Sequence, residues 1–273
     1  MSVQDGFADS ARGGSFAVTE DISVNRVPFD APWEWLAAGW RDMWAIPGAS
    51  LGYGAIFAIA AAMLAYGSTQ ANAQSVILAL AGGFLLVGPL VAVGLYEASR
   101  RLAKGQSIGF GEMLGAAFHG KGQLGFMGVV LMLFFMVWMQ IAFLLFMLFT
   151  GARALPPASE FVHTLLFTPA GVGLLFVGTG VGAVLAALVF AVSAISVPLL
   201  MVKDVDVVTA ITTSFKAVKV NLQPMALWAA LIAGCMALGL ATLFAGLVVA
   251  FPLVGHATWH AFRQLVNVRG AEY

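Results

Sequence analysis

Two histidines, His256 and His260, stand four residues apart in the last apolar run of the chain. On a helix that spacing puts both imidazoles on one face. The pair can chelate one transition-metal ion, since imidazole suits Zn, Cu, Ni or Fe. Two more ligands are then needed, and Glu97 and His119 are the candidates. A haem cannot take both rings, because its axial ligands approach from opposite faces; it needs one of them and a ligand from another helix. The simpler reading places both rings at a membrane interface, bonded to backbone or lipid headgroups beside Trp259 and Arg263. No third-ligand motif accompanies the pair, so no cofactor is expected.

The remaining polar constellations point to structure before chemistry. Glu97 and Arg100 are spaced for an ion pair at a helix end, worth about 0–1 kcal/mol. Glu160 and His163 form one Glu-x-x-His pair, where di-iron bundles use two with further glutamates; a solvated loop helix explains it. Gly48 and Gly52, and Gly178 and Gly182, have the GxxxG spacing that lets helices approach closely. Trp33, Trp35, Trp40 and Trp44 cluster near the start. They read as an aromatic belt in the headgroups, or, with Trp33, Trp40 and Trp44 on one face, as a docking site for another membrane protein.

Absences narrow the function. No apolar run carries Asp, Glu, Lys or Arg near its middle, where proton-coupled transporters and pumps keep one. Mid-span polarity amounts to Gln140, Thr179, Ser193, Ser196 and Thr242. There is no Walker A loop, GxSxG or HExxH, and no Ser/His/Asp set that the positions make plausible. An enzyme is not expected.

The elements that must position these residues are membrane helices. Of the 273 residues, 61% are hydrophobic and 10% charged, against roughly 25% charged in a soluble domain. Too few polar residues exist to cover a soluble core of this size; lipid removes that requirement. Net charge is zero, which gives nucleic acid nothing to bind. The lone cysteine, Cys235, excludes a disulfide framework and a Cys-based zinc cluster. Six stretches suit the roughly 20 apolar residues that a crossing needs: 47–66, 76–97, 124–150, 171–200, 224–242 and 243–262. The last two are split at the turn positions Gly239 and Gly246.

Loop charge alternates. Twelve of the 13 Lys and Arg residues fall on one side, and Arg153 alone on the other. The positive-inside rule makes the rich side the cytoplasm of a bacterial inner membrane, with both termini there. Residues 1–28 are rich in Gly, Ser and Asp and read as a disordered cytoplasmic tail. Residues 29–266 form the transmembrane helical domain, and 267–273 a C-terminal cytoplasmic tail.

Each pair of spans follows an amphipathic stretch. In 33–44, Trp33, Leu36, Trp40 and Trp44 share a face away from Glu34, Arg41 and Asp42. In 110–118 the face is Phe110, Met113, Leu114, Ala117 and Phe118. In 206–219 it is Val208, Ile211, Phe215 and Val218, with Asp204 and Asp206 suited to the helix start. One surface helix and two crossing helices thus recur three times. A Pro-Leu pair marks the second crossing helix of each unit, at Pro89, Pro198 and Pro252. A kink or break is expected near each. Superposing Pro89 on Pro252 also sets Gly83 on Gly246, Glu97 on His260 and Arg100 on Arg263.

The stretches VPFDAPWEWLAAGWRDMW (27–44), SLGYG (50–54), GGFLLVGPLVAVGLYEASRRLAKG (82–105), AISVPLLMVKDVDVVTA (194–210) and FPLVGHATWHAFRQLV (251–266) carry a resemblance. They resemble a bacterial family of integral membrane proteins of unknown function, whose members are sometimes labelled as related to cytochrome c oxidase subunit I. The resemblance implies a multi-span bacterial membrane protein and no established reaction. With four histidines in all, the chain lacks the haem and copper ligands of a catalytic oxidase subunit. The expected fold is an all-α polytopic membrane bundle of about six spans. The expected function is that of a non-catalytic accessory or assembly subunit, its partners being membrane lipid and another membrane protein or complex. A transporter or channel for an uncharged or lipophilic solute is the alternative, suggested by proline-interrupted helices. A metal or haem site at His256 and His260 is the third reading.

Overall fold

In a computed structural model, residues 21–70, 74–116, 122–151 and 158–270 are described. The helices follow the three-unit order. Unit one is α1 (Ala31–Ala45), α2 (Pro47–Gln70), then α3 (Gln74–Val91) running into α4 (Val93–Ala103). Unit two is α5 (Phe110–Ala116), α6 (Gly122–Thr150), the short α7 (Ala158–Phe167), then α8 (Pro169–Ser193) and α9 (Ser196–Val202). Unit three is α10 (Val207–Val220), α11 (Leu222–Ala241) and α12 (Leu247–Leu265).

By length and hydropathy, four helical segments among the described residues can cross a membrane: Pro47–Gln70, Gly122–Thr150, Pro169–Val202 and Leu222–Ala241. The other two of the six expected stretches take different forms. Stretch 76–97 breaks at Ala92 into apolar α3 and the strongly amphipathic α4. Stretch 243–262 falls on α12, which the other helices enclose and which ends in a basic turn at Arg263.

Of the three prolines Pro198 sits at a helix break, a second break falls three residues past Pro89, and α12 runs through Pro252. The ring of Pro198 offers no N–H to the carbonyl four residues back, at Ala194, and the chain turns there between α8 and α9. Ser193 strengthens the bend by donating to the Val189 carbonyl at 2.7 Å. The α3–α4 break follows Pro89 by three residues, and the Tyr53 hydroxyl donates to the Val91 carbonyl beside it at 2.7 Å. Helix α12, by contrast, continues through Pro252. The carbonyl that this proline leaves without an i+4 donor is Val248, and α2 packs directly against it at Gly54. A Cβ at Gly54 would stand 2.3 Å from that oxygen. Backbone of α2 therefore fills the place a water would otherwise need.

Termini that read as tails are partly ordered. Strand β1 (Ile22–Val24) pairs antiparallel with β2 (Val266–Val268), Ser23 opposite Asn267. Beyond the strands, Arg269 N–H donates to the Asp21 carbonyl at 2.8 Å. Residues 22–24 of the expected N-terminal tail and 267–268 of the expected C-terminal one are therefore paired strand, and residues 1–20 lie outside the described residues. Asn221, buried at the α10–α11 junction, accepts from Val27 N–H at 2.9 Å and donates to the Asn25 carbonyl at 2.9 Å. It straps the segment leading into α1 onto unit three.

The core sits at one end of the bundle. Helix α6 is buried only at Leu124, Met127 and Leu131, and α2 only from Ser50 to Ala58. Helix α12 is buried along nearly its whole length between α1, α2, α4 and α11. The far halves of α2, α6 and α8 splay with exposed Met63, Leu148 and Phe176, as suits helices whose solvent is lipid.

The expected apolar faces of α1 and α10 are split, with Leu36, Ile211 and Val218 against the core and the bulkiest members outward, whereas α5 turns Met113 inward. In α1 the buried residues are Ala31, Pro32, Trp35, Gly39 and Met43, whereas Trp33, Trp40 and Trp44 are exposed. In α10, Ala210, Ser214 and Ala217 face in, and Val208 and Phe215 face out. Small residues at Gly39, Ala210, Ser214 and Ala217 let these helices lie close on the bundle, with Trp35 and Met43 of α1 packed into the core beside them. Gly39 is the tightest case: a Cβ there would meet the Ala257 backbone nitrogen at 2.6 Å.

Candidate functional site: a sealed polar relay

Four helices bring five polar side chains together at the core end. From α2, Ser50 Oγ lies 2.9 Å from His256 Nε2. From α4, Ser99 Oγ lies 2.8 Å from His256 Nδ1. The carboxylate of Asp42 on α1 stands beside Ser99, which helps hold it in the charged form. Asp42 Oδ2 in turn lies 2.7 Å from His260 Nε2.

Donor accounting orients the chain of bonds. An ionised carboxylate only accepts, so where Ser99 gives its one proton to Asp42 its oxygen is left to accept from Nδ1–H of His256. Nε2 of the neutral ring then accepts from the Ser50 hydroxyl. On the other side of Asp42, His260 donates Nε2–H. Every dipole from Ser50 onward points at the carboxylate, and such alignment strengthens each bond. Burial alone raises the Asp42 carboxyl, but the hydrogen bond from His260 and the neighbouring Ser99 hydroxyl outweigh it and hold it below its ordinary 3.8.

This arrangement differs from the sequence expectation in two ways. His256 and His260 share a helix, yet they serve different partners, and both ring nitrogens of His256 are taken by serines. Among the described residues no group of three or more His, Cys, Asp or Glu side chains gathers for a metal. Glu97, considered as a further ligand, is engaged by Arg100 at 2.7 Å and Arg101 at 2.9 Å. Arg101 continues to Glu112 at 2.8 Å, so the expected ion pair is part of a small network. His119 lies outside the described residues. Glu160 and His163 are exposed on α7, the solvated loop helix expected there, with His163 against Phe167.

Second, a serine, a histidine and an aspartate do come together, against the expectation that no such set exists. Its order is not that of a hydrolase triad, because Ser99 stands between ring and carboxylate. Ser50, Ser99 and His256 are all fully buried. Only the His260 end reaches a surface groove of about 330 Å³, lined by Glu34, Arg41, Arg263 and Gln264 among others. A substrate has no path to Ser50. The relay joins α1, α2, α4 and α12 and specifies their register. Sequence reasoning missed Ser50 and Ser99 because a single serine in an apolar run carries no signal of its partner.

The GxxxG pairs are not where helices meet most closely. A Cβ at Gly48 or Gly178 would touch nothing within 4 Å, while one at Gly52 would meet Phe110 at 3.4 Å and one at Gly182 would meet Trp138 at 3.1 Å. The four tryptophans divide: Trp35 is buried edge-on against Trp228 and donates to Gln264, whereas Trp40 and Trp44 form an exposed T-shaped pair at 5.6 Å.

A bundle of long apolar helices sealed around one polar relay defines an all-α integral membrane protein. Residues 76–202 match the family model described as Predicted integral membrane protein (DUF2189). This is the membrane family of unknown function that the sequence resembles; the oxidase label carried by some members gains nothing from the match. No curated protein and no solved structure matches the chain. The matched segment runs from α3 to α9 and holds Ser99 but none of Asp42, Ser50, His256 and His260.

Proposed function

We propose that the chain is a non-catalytic subunit of a larger membrane complex, which docks a partner membrane protein on the tryptophan face of α1. The observation that carries this reading is the contrast between the two faces of α1. Trp35, Gly39 and Met43 lock the helix onto α12, while Trp33, Trp40 and Trp44 stand about half exposed, at 55%, 46% and 50%. Large aromatics presented on a rigid helix lose little entropy on binding, and Trp dominates interface energetics. The sealed relay supports a structural role for the only buried histidine among the described residues. The basic residues Arg41, Arg100, Arg101, Lys216, Lys219 and Arg263 on α1, α4, α10 and α12 support a cytoplasmic orientation of the core end in a bacterial inner membrane.

The test is a native mass spectrum of the protein released in mild detergent from its own membranes. A stoichiometric protein partner, lost in a Trp33→Ala, Trp40→Ala, Trp44→Ala variant that still folds, supports the proposal. A chain carrying lipid alone, unchanged by the variant, makes the three tryptophans a headgroup anchor and overturns it.

A further inference from the structure

We infer that a second copy of this chain packs against the outer face of α6, with Gln140 of each copy hydrogen-bonded to its counterpart. Helix α6 is the least buried of the four candidate spans: 6% of its apolar window lies inside the molecule. Its inner side is well defined, since Phe135 crosses Gly83, and Trp138 crosses Gly82 while donating to the Ala79 carbonyl at 2.7 Å. Its outer side shows Phe126, Val129, Leu133, Met136, Gln140 and Phe143 at alternating spacings of three and four, all exposed. That is the a/d seam of a left-handed helix pair.

Gln140 is the residue that asks for a partner. The helix runs Gly122–Thr150, so Gln140 lies four residues from its midpoint, or about 6 Å at 1.5 Å per residue. That is inside a hydrocarbon core about 30 Å thick. Its amide has two donors and an acceptor, faces outward, and bonds to no described residue. Lipid tails cannot satisfy it. Copies inserted by one topology are parallel, so a twofold axis along the membrane normal sets Gln140 opposite Gln140 at equal depth. A carboxamide is complementary to itself, donor to acceptor both ways. Any other partner needs its own polar group at that depth. A single polar residue at an a position also fixes the pairing register. The surface is distinct from the tryptophan face of α1.

The experiment uses the full chain in native membranes and in mild detergent, with Cys235→Ala to remove the natural thiol. Leu133→Cys on the seam is expected to form a disulfide-linked dimer under mild oxidation in membranes. Val184→Cys, which is 73% exposed on α8, is expected to stay monomeric. Light scattering is expected to give a dimer that Gln140→Leu weakens about tenfold and that Gln140→Asn partly restores. A Leu133→Cys chain that crosslinks no more than Val184→Cys overturns the inference, as does a Gln140→Leu dimer as tight as the parent. Crosslinking to a different membrane protein at Leu133→Cys overturns the choice of a second copy. The tryptophan variant leaves these results unchanged, so the two proposals fail separately.

Discussion

His260 on the last helix donates to Asp42 on the first at 2.7 Å, across 218 positions of sequence. Through Asp42 and Ser99 this surface bond is tied to His256 and Ser50 in the core. Unit three is thereby locked onto unit one, and α12 onto three helices at once.

The Asp42 bonds make stability depend on pH. Its folded carboxyl titrates below the ordinary 3.8, so the contribution is full above that value and is lost as pH falls through the depressed one. Asp42→Asn is expected to lower the melting temperature in detergent at about pH 6, and the gap from the parent should close below about pH 4. A gap that stays constant across that range would show that the carboxylate charge plays no part.

Removing the middle of the relay should cost more than a surface hydroxyl does. Ser99→Ala leaves Nδ1 of His256 buried without its hydrogen-bond partner, a loss of about 1–3 kcal/mol. Combined with Asp42→Asn, the effects should fall short of additivity by about 0.5–3 kcal/mol. Denaturation of the two single variants and the double one measures this directly.

A sealed Ser50 should be chemically silent. A fluorophosphonate probe is expected to leave the folded protein unlabelled, because Ser50 and His256 are both 0% exposed. Stoichiometric labelling that disappears in Ser50→Ala would falsify the non-catalytic reading.

Close helix crossings predict which glycines tolerate a methyl group. Gly39→Ala drives a Cβ toward the Ala257 backbone nitrogen at 2.6 Å, so helices must separate at about 1–3 kcal/mol. Gly48→Ala, with nothing within 4 Å, should be neutral or slightly stabilising. Thermal melts of the two variants decide it.

The Asn221 strap should be visible in exchange. Asn221→Ala removes the acceptor of Val27 N–H, and deuterium uptake at Val27 and through β1 should rise while α12 stays protected. Equal protection in both proteins would remove Asn221 as the clasp.

The sequence by itself determined the solvent and the order of helices. Charge scarcity and apolar runs required lipid, and three amphipathic stretches each heading two long helices became α1, α5 and α10 with their followers. Proline chemistry placed the break at 194–195, because the missing N–H of Pro198 acts on the carbonyl four residues back in its own helix. Direction was what periodicity could not supply. The same alternation that marks Trp33, Trp40 and Trp44 as one face reads identically whether that face meets protein or lipid. Only packing showed that Trp33, Trp40 and Trp44 of α1 face out while Trp35, Gly39 and Met43 face in. Tertiary structure likewise decided the continuity of α12 at Pro252, which rests on Gly54 of another helix, and the pairing of the tails. The relay was beyond reach for the same reason: Ser50 and Ser99 lie 206 and 157 positions from His256, and a hydrogen bond requires proximity that only the fold creates.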